Sequence, residues 1–171
     1  MALEYIASTG TPSGSFLEID NIPNTYNSLQ ITGAMSNDST TVADCYMRFN
    51  DVTTTTYNSM YGGWRDGSTS NYNMTNNEAH FGRGPDQDMN VGFVYAPVYV
   101  DIFAYRGDQP GNLGWFSIAS YANGTSDGVC QFYSGWYSED ATADLTKIQF
   151  ITSQGSWDAD TVFHLYGRTT S

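Results

Sequence analysis

Residues 114–137 read GWFSIASYANGTSDGVCQFYSGWY, two runs of period-two alternation around a glycine- and asparagine-rich break. Asn123-Gly124 supplies the positive φ angles that a tight reversal needs. The stretch therefore predicts two neighbouring antiparallel strands, Phe116 to Ala122 and Gly128 to Tyr137, joined across residues 123–127. In the second strand Cys130, Phe132 and Trp136 share one phase, which places them in the core by this reading.

The same period runs outward through the chain, and no amphipathic helical stretch of useful length interrupts it. Strands are expected near residues 3–7, 15–19, 28–35, 44–50 and 55–61, and again near 98–105, 114–122, 128–137, 145–152 and 161–168. Pro12/Gly14, Pro23/Asn24, Asp66/Gly67 and Pro110/Gly111 punctuate them. About ten short strands with such turns predict one all-β domain over residues 1–171, an antiparallel β-sandwich of jelly-roll-like type. Val98, Val100, Ile102 and Ala104 form an aliphatic face, expected to point into the core. Tyr99, Asp101, Phe103 and Tyr105 form the other, open either to a partner or to a covering layer.

Residues 62–90 break the pattern, being polar, glycine-rich and almost free of aliphatics. A long loop is expected there, serving as a contact arm. Trp64, Arg65, Tyr72, Met74, Phe81 and Arg83 are its candidate partner-contact residues.

Composition narrows the function. The 171 residues carry 18 acids against 6 bases, a net charge of −12, with Lys147 as the sole lysine. Nucleic acids and anionic membrane surfaces both call for the opposite sign of field, so neither is an expected partner. The apolar runs are too short to cross a bilayer as a helix. Met1 to Ile6 lacks the basic start and apolar run of a signal peptide, so folding in a cytoplasm is expected. Cys45 and Cys130 make neither a disulfide framework nor a four-ligand zinc site. Both are expected as buried free thiols, with a disulfide left open should their strands adjoin.

The sequence offers little catalytic chemistry. No Gly-x-Ser-x-Gly elbow or phosphate-cradling loop occurs. His164 falls in an ordinary strand, and His80 sits beside Phe81 in the expected arm, where it reads as a contact residue. Asp101 lies among aromatics, as a salt-bridge partner for an arginine or, less simply, a catalytic acid. No enzyme activity and no cofactor are expected. Asp86, Asp88 and Asn90 form a D-x-D-x-N run, a weak calcium candidate, but Val91 and Pro97 stand where an EF-hand loop needs Gly and Glu. Trp64, Trp115, Trp136 and Trp157, with 13 tyrosines, could furnish a sugar-stacking platform, Trp64 and Trp157 being its expected exposed members.

Four short motifs recur in order: Met1-Ala2-Leu3-Glu4-Tyr5-Ile6-Ala7-Ser8, Ile22-Pro23-Asn24-Thr25-Tyr26-Asn27-Ser28-Leu29, Arg48-Phe49-Asn50, and Phe163-His164-Leu165-Tyr166-Gly167. This order resembles small structural proteins of tailed bacteriophages, with a similar opening strand, an "IPxTYxxL" step, an "RFN" strand end and a closing "FxLYG". The resemblance implies a virion subunit of the head-decoration (cement) or tail-fibre kind. Of these, a decoration protein on the outer capsid surface is expected, bound to the major capsid protein and self-associating as a homo-trimer. The alternative is a tail-fibre or tail-tip module that recognises host-surface glycans.

Overall fold

The computed structural model describes residues 2–54, 57–65, 68–84, 95–108, 112–123, 127–137 and 143–169. Twelve strands run through them in the order β1 (Ala2–Ser8), β2 (Phe16–Ile19), β3 (Ser28–Met35), β4 (Ala43–Phe49), β5 (Tyr57–Arg65), β6 (Ser68–Asn76), β7 (Ala79–Gly84), β8 (Ala96–Phe103), β9 (Leu113–Asn123), β10 (Asp127–Tyr137), β11 (Ile148–Thr152) and β12 (Val162–Thr169). No helix occurs among the described residues. The strands form two antiparallel sheets, one of eight in the order β1-β12-β3-β8-β9-β10-β5-β6 and one of four in the order β2-β11-β4-β7. The all-β sandwich is thus the fold, with unequal layers.

Alternation explains which side each strand buries. In β4, Ala43, Cys45, Met47 and Phe49 point inward while Asp44, Tyr46 and Arg48 face out. In β8 the aliphatic set Val98, Val100 and Ile102 is buried, as its pattern predicts. Leu29, Ile31, Phe150, Phe163 and Leu165 complete the contact between the sheets, where the rings of Phe150 and Phe163 stack at 4.2 Å. β9 and β10 pair along their whole length, from Asn123↔Asp127 to Leu113↔Tyr137, as residues 114–137 lead one to expect.

Ile22, Tyr26, Asn50 and Gly167, from three of the motifs quoted above, meet at one end of the sandwich. The Tyr26 ring packs on Gly167, where an added Cβ would lie 2.2 Å from the ring. Tyr26 N–H donates to the Tyr105 hydroxyl at 3.0 Å, and that hydroxyl donates to the Pro23 carbonyl at 2.9 Å. Asn50 takes a left-handed φ of 50°, and its Oδ1 accepts from the backbone N–H groups of Thr146 and Lys147. Ile22 N–H reaches the Thr146 carbonyl. These residues close the turns of the sandwich.

Three expectations need correction. The long loop at residues 62–90 is instead the end of β5, all of β6 and all of β7, with residues 85–94 outside the described set. β6 pairs residue by residue with β5, from Tyr57↔Asn76 to Arg65↔Ser68. A polar strand can persist there because it completes its partner's ladder. Second, Phe132 and Trp136 point outward and are half exposed, while Val129, Gln131 and Tyr133 take the inner phase of β10. Third, Tyr105 leaves the phase of Tyr99 and Phe103, because Ala104 turns the backbone with a φ of 51° and sends Tyr105 inside.

Candidate functional site

The registers of the large sheet set its outward row strand by strand. Tyr5 and Leu3 on β1 lie beside Tyr166 and Arg168 on β12, then Gln30 and Ser28 on β3, then Asp101 and Phe103 on β8. Phe116 and Ile118 of β9 continue the row to Ser134, Phe132 and Cys130 of β10 and to Met60, Gly62 and Trp64 of β5. Thr69, Asn71 and Asn73 of β6 end it.

This face is open and carries many aromatic side chains among small polar ones. Leu3, Tyr5, Met60, Trp64, Phe103, Phe132 and Trp136 each leave 46–55% of their surface in water. Phe116 stacks on Phe132 with ring centroids 6.4 Å apart. Among the outward positions of the described strands only Asp101 and Arg168 carry formal charge, and they oppose one another at 2.9 Å. Arg168 Nη2 also donates to Gln30 Oε1 at 2.7 Å and to the Tyr99 hydroxyl at 2.6 Å, while Tyr99 donates to Asp101 Oδ2. Of the two roles expected for Asp101, the arginine pairing is the one present.

The outer side of the small sheet is the opposite kind of surface. Arg48 pairs with Glu78 at 2.7 Å, Arg83 with Asp44 at 2.6 Å, and Lys147 with Glu18 and Asp51 at 3.1 Å. A chain of net charge −12 thus places its described ion pairs largely on one layer and leaves the other nearly charge-free. Eight strands about 4.8 Å apart, each roughly 25 Å long, span about 900 Å², the scale of roughly 800 Å² that each partner gives to a standard interface. An outer sheet face of that extent, carrying half-exposed aromatic side chains and almost no charge, is the candidate contact site.

Two polar clusters lie elsewhere on the sandwich. His80 is 1% exposed, walled by the rings of Tyr46, Tyr61 and Tyr133 at 4.5–6.0 Å. Its Nε2 faces the Gly82 carbonyl at 3.1 Å, and since a carbonyl only accepts, Nε2 carries the proton. Asp44 Oδ1 lies 3.5 Å from the same atom. Burial would raise the Asp44 carboxyl, but hydrogen bonding and charge from His80 and Arg83 outweigh it and hold the pKa at about 2. Burial pushes the neighbouring Cys45 thiol upward, leaving it far from a reactive thiolate. The His80 ring and the Cys45 thiol are closed to solvent, and Asp44 and Arg83 are paired with each other, so the cluster holds β4 to β7. The second is a polar depression of about 470 Å³ lined by Asp20, Asn21, Asn50, Asp51, Thr146 and Lys147. The Lys147 ammonium already sits among its carboxylates.

The expected contact residues divide. Trp64 is exposed on the aromatic face. Arg65, Tyr72 and Met74 lie on β5 and β6 by backbone register. Phe81 is fully buried between Phe150 and Phe163, and Arg83 is committed to Asp44 on the other sheet, so neither belongs to this face. His80 is likewise buried, against its expected contact role. Trp157 is 4% exposed, because it packs on Phe163 and donates its indole N–H to the Phe150 carbonyl, so it cannot serve a sugar platform. Asp86, Asp88 and Asn90 lie outside the described residues. Among the described residues no group of three or more His, Cys, Asp or Glu side chains is placed to hold a metal. Cys45 is buried and Cys130 half-buried, and both are free thiols. Tyr5, Phe116, Phe132 and Trp136 were missed as surface residues, although the alternation of β8 already offers an aromatic outer side.

No family model, curated protein or solved structure matches this chain.

Proposed function

We propose that this chain is a structural subunit of a tailed-bacteriophage particle, a capsid decoration protein that works by protein–protein contact rather than catalysis. The observation that carries the proposal is the aromatic, nearly charge-free outer face of the eight-stranded sheet, set against a charged small sheet. In this reading Trp64, Met60, Phe132, Trp136 and Phe103 seat on the major capsid protein, and the acidic small sheet faces solvent. Aromatic and Met side chains are enriched in the buried centres of such contacts. The acidic surface then keeps the particle soluble and away from packaged DNA. The resemblance of the quoted motifs to phage structural proteins is what supports the virion setting, and several of their residues here serve turns and strand ends. Particles lacking the chain should lose capsid integrity at lower temperature than complete ones and regain it when the purified chain is added. Equal resistance to heat would overturn the cement role.

A second reading has its own observation. Trp64 and Trp136 are half exposed on the same face as Asn58, Asn71 and Asn73, and aromatic rings flanked by amides suit sugar stacking. A tail-fibre or tail-tip module binding host glycans would use the side of the face formed by β10, β5 and β6. Selective signal on a glycan array, lost in Trp64→Ala, would favour it over decoration.

A further inference from the structure

The sandwich has four sheet edges, and three carry features that discourage pairing with another chain. β1 holds Glu4 and an irregular register between Tyr5 and Ala7. β2 is four residues long and contains Glu18. β7 holds Arg83, and its ladder with β4 shifts register between Cys45 and Tyr46. β6 has none of these. It is nine residues, STSNYNMTN, without charge, proline or register shift against β5. Among the described residues no strand pairs with its other side. A long, regular, uncharged edge presents a row of backbone donors and acceptors that only another strand satisfies in full.

The residue order identifies that strand. Read outward from Tyr72, β6 is nearly symmetric in chemistry: Asn71 against Asn73, Ser70 against Met74, Thr69 against Thr75, Ser68 against Asn76. Two copies of β6 running antiparallel with Tyr72 at the centre would place Asn opposite Asn and Thr opposite Thr, each pair occurring twice. In an isologous two-fold contact residue i meets j and j meets i, so each pair counts twice, and Thr–Thr and amide pairs are favourable across strands. A net charge of −12 per chain opposes self-association over most of the surface, and β6 is an edge where that repulsion is locally absent.

We propose that the chain forms a two-fold dimer through β6, joining two eight-stranded sheets edge to edge. The pairing brings Trp64 and Met60 of both copies alongside the junction, so the two aromatic faces become one. It favours a pair over the homo-trimer expected from the symmetry of capsid sites.

The test uses the full chain. Sedimentation velocity over a concentration series should give the dimer mass. Asn71→Asp with Asn73→Asp puts like charges directly opposite and should weaken the dimer at least about tenfold, whereas Asn112→Asp, exposed elsewhere, should not. In a Cys130→Ser background, mild oxidation should cross-link Tyr72→Cys, which faces itself across the axis, and not Thr69→Cys. The cysteine pair decides the matter even if the double aspartate variant fails to fold. A monomer at every concentration, a dimer indifferent to the aspartates, or equal cross-linking at both cysteines would overturn the proposal.

Discussion

Asp101 on β8 and Arg168 on β12 meet at 2.9 Å across the intervening strand β3, whose Gln30 shares the same guanidinium. Both side chains are mostly covered, at 15% and 23% exposure. Their pairing leaves the aromatic face of the large sheet without net formal charge.

Removing one member should therefore cost more than removing both. Arg168→Met leaves the Asp101 carboxylate largely desolvated and without its cation, a loss of about 2–3 kcal/mol in urea unfolding. Asp101→Leu combined with Arg168→Met should recover most of it. If Arg168→Met were neutral, the pair would have no structural weight.

Gly167→Ala should be among the most damaging single-methyl additions in the chain. The new Cβ would fall 2.2 Å from the Tyr26 ring, which is held by the chain of hydrogen bonds through Tyr105 to Pro23. Thermal melts should show about 2–3 kcal/mol of destabilisation, the upper range for overpacking. Tyr26→Ala in the same background should relieve part of the clash and give a less-than-additive total.

Asn50 separates backbone strain from hydrogen bonding. Asn50→Gly keeps the left-handed φ and loses the side-chain bonds, at about 1–2 kcal/mol. Asn50→Ala loses both and should fall about 1 kcal/mol further. Equal losses would mean the φ is not strained.

Acid should act partly through Asp44. Its carboxyl is held at about 2, below the ordinary 3.8, so its contribution is complete above the ordinary value and disappears as pH falls through about 2. Because a third of the side chain remains in water, the contribution is discounted to about 1 kcal/mol. Wild type should lose about that much more stability than Asp44→Asn between pH 5 and pH 2, compared by denaturant unfolding. Parallel curves for the two proteins would contradict the assignment.

Sequence alone made the sandwich legible wherever one side of a strand was apolar, as in β3, β4, β8 and β12. It failed where hydrophobicity could not choose a side. β10 is apolar on both: Val129 and Tyr133 look inward, Phe132 and Trp136 outward. The inner phase also holds Gln131, whose amide oxygen accepts from the Tyr133 hydroxyl, and Gly135, whose missing side chain leaves space for the Trp115 ring. Those residues made the true interior read as the weaker hydrophobic phase. β6 escaped notice because Ser, Asn and Thr occupy most of it and its order comes from pairing with β5. β7 escaped because Gly82 and Gly84 read as loop residues, whereas an added Cβ would collide with Met35 at 2.7 Å and Asn37 at 2.3 Å. The aromatic site was visible on β8, but the strands that complete it are adjacent only through long-range pairing.

Density for the chain on the intact particle would show whether that aromatic face seats it. The prediction is a position on the outer capsid surface with Trp64, Phe132 and Trp136 covered by the major capsid protein and the small sheet toward solvent. A chain seated by its small sheet with the aromatic face open to water, or density for it on the tail alone, would contradict the account.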